Sequence, residues 1–171
     1  MAKPPHPFIV DVEASGFGFE SYPIEVGLAL HDGERYCSLI KPADRWLHWD
    51  CNAERIHGIT RERLVNTGRS VIAVASELNA LLRGRTIYSD AWVVDKPWLE
   101  KLFAEARIAM RFSISQIELL LTEEQVLHWD GVKREMDEMT AGKRHRASHD
   151  ALMIRRTYEE VRRRYPARSP A

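Results

Sequence analysis

The stretch FIVDVEASGFG, residues 8–18, sets two carboxylates, Asp11 and Glu13, into a run that otherwise begins as apolar. Phe8, Ile9, Val10 and Val12 read as a strand. Alternate strand residues share a face, so both acids point the same way. Two like charges side by side on a largely buried strand repel each other and lose hydration. A solvated strand end would make them harmless, and D-x-E alone is too short to choose. Asp95 stands where the run 88–94 passes into a helix containing Pro97, a position that also suits a helix-initiating acid. In HRASHDAL, His145 precedes Asp150 by five residues, and Asp150 opens the final helix. Four carboxylates and one histidine are a donor set for hard divalent cations, Mg²⁺ or Mn²⁺, which take oxygen ligands. Two such ions, about 3.5–4 Å apart, hold a phosphate between its attacking and leaving oxygens. Metal as the partner makes Asp11 and Glu13 tolerable.

The elements that must position these residues follow from pattern. After the first strand comes a turn with Ser15, Gly16 and Gly18. Residues 24–31 (IEVGLALH) and 34–40 (ERYCSLI) read as two strands joined by Asp32-Gly33, a strong hairpin signal. Thr60 is a plausible cap for a helix through RERL, and residues 70–82 have apolar residues at helical spacing. Residues 86–88 form a fourth strand and 96–108 a helix with Pro97 in its first turn. Residues 111–117 alternate as a fifth strand, and 122–139 and 149–164 read as helices. Three antiparallel strands followed by alternating helices and strands predict an α/β domain with a mixed sheet flanked by helices.

A chain of 171 residues suits one domain with a real core, so residues 1–171 are expected to be a single unit. The formal net charge is zero, but unevenly distributed. Residues 141–171 hold nine Lys or Arg against three acids, a local +6, and the preceding 140 residues carry −6. The last residues, from about 162, form a basic tail. Cys37 and Cys51 are too few for a disulfide framework or zinc site. No apolar run approaches the roughly 20 residues of a membrane span, so no membrane partner and a cytoplasmic location are expected.

With these motifs in order, the chain resembles the DEDDh 3′→5′ exonucleases, which include oligoribonucleases, ribonuclease T and polymerase proofreading subunits. The resemblance runs over residues 8–158: FIVDVEASGFG, then ERIHGIT, then VVDKPWL around Asp95, then HRASHDAL. It implies a ribonuclease H-like fold with a five-stranded mixed sheet whose first three strands are antiparallel. It implies that Asp11, Glu13, Asp95 and Asp150 ligate two Mg²⁺ or Mn²⁺ ions, Asp11 being shared by both. His145 is then the general base, taking a proton from the attacking water. The products are nucleoside 5′-monophosphates released from the 3′ ends of single-stranded RNA or DNA. One departure is Ser89-Asp90-Ala91, where many relatives carry a His-Asn pair, so Asp90 competes with Asp95 as a ligand. Several relatives are homodimers, which leaves that state open here.

Other residues have two readings each. His57 either supports the turn before Thr60 or contacts the terminal nucleotide. Phe17 and Phe19 either pack the loop or stack on bases. Arg146 is a candidate phosphate ligand, while Arg162, Arg163 and Arg164 suit a helix end. His149 reads as a surface residue. Two other functions use the same residues: a phosphodiesterase for dinucleotides or other small phosphoesters, and a non-catalytic nucleic-acid-binding protein. The second would be free to lose its carboxylates, and here all are present.

Overall fold

In a computed structural model of the chain, the described residues are 6–139 and 146–167. In order, the elements are β1 (Phe8–Ala14), β2 (Pro23–Ala29), β3 (Arg35–Leu39), α1 (Cys51–His57), α2 (Arg61–Thr67), α3 (Val71–Leu82), β4 (Thr86–Ser89), α4 (Trp92–Ala106), β5 (Ser113–Gln116), α5 (Glu123–Met139) and α6 (Ala147–Arg164). The sheet has the order β3-β2-β1-β4-β5. β1, β2 and β3 pair antiparallel, whereas β1–β4 and β4–β5 are parallel. This is the mixed five-stranded sheet expected, with its first three strands antiparallel. Among the described residues, no helix is long and apolar enough to cross a membrane.

Strand alternation divides the core between the two faces of the sheet. Val10, Val12, Ile24, Val26 and Leu28 pack with Leu78, Leu82, Leu99 and Leu102 from α3 and α4. Ile9 and Ala29 face the other way and pack with Trp129 and Val132 of α5 and Ala151, Ile154 and Val161 of α6. Asp11 and Glu13 share the face of Ile9. On β2 the same face carries Glu25, Gly27 and Ala29. The register pairs Asp11 with Gly27 and Glu13 with Glu25.

β1 and β4 pair only at Phe8–Ile87 and Ile9–Tyr88. Beyond Ile9 the two strands separate, and a crevice opens at their carboxyl ends. β1 is also where the strand order reverses, the position at which open α/β sheets bind ligands.

Several boundaries differ from the sequence reading. α1 was not anticipated. It has seven residues, below the length that periodicity detects, although Asp50 caps Asn52 (2.7 Å) and Gly58 ends it in a left-handed conformation, φ +68°. α4 begins at Trp92 and not at 96, which moves Pro97 from the first turn into the second. Its start is anchored by tertiary structure, the Trp92 indole donating to Gln116 Oε1 at 3.0 Å. β5 spans only Ser113–Gln116. α6 begins two residues earlier than expected, which places Asp150 in its first turn. Arg162, Arg163 and Arg164 belong to its last turn, and residues 168–171 lie outside the described residues.

Candidate metal centre

Asp11 and Glu13 project from the end of β1, and Asp150 comes down from the first turn of α6 onto the same face. One carboxylate oxygen from each lies within 4.8 Å of the other two. The pKa values follow from this crowding. Burial, then the charges of Asp95, Glu13, Asp150 and Asp90, hold the Asp11 carboxyl well above the usual carboxylate range. Glu13 is pushed up to about 7, chiefly by burial, then by Asp150 and Glu25. The Arg146 guanidinium opposes this rise in Glu13, as the last of its influences. Three carboxylate oxygens this close, with Asp11 and Glu13 costly to ionise, fit a hard divalent cation.

Asp95 approaches from the other side of the crevice, in the first turn of α4, and is 2% exposed. It stands outside the triplet, yet after burial its charge is the strongest influence raising Asp11. Its own carboxyl is pushed up to about 7 by burial, opposed by hydrogen bonds from the Ser89 hydroxyl and the Val12 N–H. Val12 N–H is available because β4 no longer pairs with that part of β1. The Ser89 hydroxyl also accepts from Ala91 N–H at 2.8 Å, which ties the β4–α4 turn to the carboxylate. Asp90 forms an ion pair with Lys133 of α5, whose charge also lowers Asp95 as the weakest of the influences on it, so the two acids of this turn differ in which one the lysine grips.

His145 lies outside the described residues, as do Lys143 and Arg144. A small depression beside Glu13 is lined by Gly16, Phe17, Ala53, Ile56, His57 and Trp98. His57 is buried, its Nδ1 accepts from Ile59 N–H at 3.0 Å, and its ring edge meets Trp49. It therefore both supports the turn and borders the depression. Phe17 lies at the rim, 72% exposed. Phe19 is 96% exposed but lies outside this depression, its carbonyl held by Lys101 Nζ at 2.9 Å. Trp46 is core, stacked on Tyr22.

Two expectations change. The Arg146 guanidinium, offered by sequence to a phosphate, grips Glu25: Nε lies 3.0 Å from both carboxylate oxygens and Nη2 2.5 Å from Oε1. His149 is not a surface residue, since its ring is half-buried and Nε2 is shielded from solvent. Sequence reasoning missed Glu25, Ser89 and Lys133. Glu25 had a signal, an acid inside the apolar run IEVGLAL. Ser89 and Lys133 had none, because their roles depend on contacts across elements.

The chain matches no protein-family model and no curated protein. Its fold matches solved structures of E. coli exonuclease I. The zinc-bound complex with single-stranded DNA superposes with a TM-score of 0.73 at 18% identity, over 96% of this chain and 42% of that one. The complex with a dA16 oligonucleotide gives 0.73 at 17% over 95% and 42%, and the apo enzyme 0.71 at 18% over 96% and 43%. This chain thus spans less than half the length of exonuclease I. The fold is the ribonuclease H-like fold of that exonuclease.

Proposed function

We propose that the chain is a single exonuclease domain of the DEDDh type, hydrolysing single-stranded RNA or DNA from the 3′ end to nucleoside 5′-monophosphates. The observation that carries this reading is the convergence of Asp11, Glu13 and Asp150 oxygens within 4.8 Å at the crevice of an exonuclease I-like sheet. That exonuclease I was solved with single-stranded DNA supports a single-stranded substrate here.

Asp11, Glu13, Asp95 and Asp150 are the residues that would hold two Mg²⁺ or Mn²⁺ ions. When bound, such ions polarise the phosphate and lower the pKa of a ligated water. The chain's own residues have separate tasks. His145, five residues before Asp150, accepts the proton of the attacking water on its imidazole. Phe17 stacks on the terminal base at the rim of the depression, a contact that tolerates any base. His57 borders the same depression and contacts the terminal nucleotide. Ser89 and the Val12 N–H keep the Asp95 carboxylate aimed into the crevice.

The test uses 5′-labelled single-stranded RNA and DNA of equal length with Mg²⁺, Mn²⁺ or EDTA, alongside Asp11→Ala. The expected result is a ladder shortening from the 3′ end, absent with EDTA and in the variant. Intact strands in every lane would overturn the reading.

A further inference from the structure

We infer that Glu25 is the positioning residue of this site: through Arg146 and the Ala147 N–H it fixes the first turn of α6, and so places Asp150 against Asp11 and Glu13. The inference rests on the metal-dependent reading above.

Glu25 is a carboxylate in the middle of β2 with no exposed surface. A buried acid needs several donors, and this one has them. Oε1 accepts from Arg146 Nε and Nη2 and from the Cys37 thiol at 3.2 Å. Oε2 accepts from Arg146 Nε and, at 2.9 Å, from the backbone N–H of Ala147. That N–H is one of the donors that a helix start leaves unsatisfied. Arg146, at the N-cap position, provides no side-chain cap of its own. The cap of α6 is therefore supplied by the sheet, by a charge that also suits the positive end of the helix dipole.

Two residues along β2, Gly27 permits the same contact. A Cβ there would fall 2.0 Å from Ala147 C and Ser148 N, so α6 lies directly on the strand at this point. Glycine sets how close the helix comes. Glu25 sets its rotation and its position along the axis, because it binds both the Ala147 N–H at the helix start and two nitrogens of the Arg146 guanidinium. Asp150 follows Ala147 by three residues, about one turn, and one of its carboxylate oxygens lies within 4.8 Å of those of Asp11 and Glu13, which pair with Gly27 and Glu25. The Glu25–Arg146 ion pair, one strand from Asp11 and Glu13, thus decides where Asp150 stands.

The experiment measures Mn²⁺ affinity by calorimetry on the full chain and unfolding by urea, for wild type, Glu25→Gln, Arg146→Met and Asp11→Asn. Glu25→Gln keeps the volume but loses the charge and the two-oxygen grip. Roughly 10–100-fold weaker Mn²⁺ binding is expected, as for other residues that orient a metal ligand. Arg146→Met, which leaves the Ala147 bond in place, gives a smaller loss in the same direction, with the folded baseline retained. Wild-type Mn²⁺ affinity in folded Glu25→Gln overturns the inference. If Glu25→Gln does not fold, Arg146→Met decides alone, and unchanged affinity there overturns it. Asp11→Asn separates the two readings. Wild-type binding in that variant removes the metal centre itself, whereas loss there with normal Glu25→Gln removes only the positioning role.

Discussion

Glu13 and Glu25 face each other across β1 and β2, on one side of the sheet, and are stabilised in opposite ways. Glu25 is fully enclosed and has an arginine, a thiol and a helix N–H as partners. Glu13 is half-buried among Asp11, Asp150 and Glu25, and its pKa is raised to about 7. One carboxylate is structural, with its charge matched within the fold. The other sits mainly among like charges, with Arg146 only a weak counterweight, a setting that an added cation would relieve. Asp95 and Asp90 repeat the contrast in the turn after β4, the strand next to β1: Asp90 is paired with Lys133, whereas Asp95 is held by the Ser89 hydroxyl.

The largest expected effect separates the two kinds of acid. Asp11→Ala drops nuclease turnover to background while the metal-free protein unfolds at the same or a higher urea concentration, since a repelling charge is gone. Full turnover in that variant would erase the distinction. Next, Gly27→Ala forces α6 off the strand. Overpacking of this kind costs about 1–3 kcal/mol, read as a lower urea midpoint together with weaker Mn²⁺ binding by calorimetry. A midpoint equal to wild type would show that the contact between α6 and β2 is slack.

Phe17→Ala tests the rim without touching either acid. A base–aromatic stack is worth about 1–3 kcal/mol, so KM for an oligonucleotide rises correspondingly. The melting curve stays put, because the ring is mostly exposed. An unchanged KM would assign Phe17 to the loop alone. The last comparison is in pH. Between about 4.5, the ordinary glutamate value, and about 7, native Glu13 keeps a proton that the unfolded chain has lost. Asp95 behaves likewise between 3.8 and about 7. The unfolded state then binds fewer protons, so stability falls as pH rises through this window in EDTA and levels off above it. With Mn²⁺ the slope reverses, because the ligands must be deprotonated to bind. Thermal melts at a series of pH values, with and without Mn²⁺, check both signs.

Much of this was present in local pattern. The D-x-E strand, the Asp32-Gly33 hairpin and the helical stretches around residues 70–82 and 122–139 each depend on neighbours a few positions apart, and local spacing carries that information. The spacing of Asp11 and Glu13 puts those two on one face, but no local spacing brings Asp150, 137 residues after Glu13, to them; the order of the motifs and the resemblance suggested it. Three matters were outside the reach of any window of sequence. The start of α4 was fixed by the Trp92–Gln116 bond, 24 residues apart, and not by Pro97. The pairing of Lys133 with Asp90, and not with Asp95, joins residues 43 apart.

The third was the pairing of Glu25 with Arg146, 121 residues apart. The sequence determined that an acid lies inside the second strand and an arginine near the last helix. Only the tertiary structure decided that the two meet and that Arg146 is held by a buried carboxylate. The physical reason is that local propensity places charges on elements, whereas the burial and partners that make a carboxylate a ligand or a strut exist only once those elements have packed.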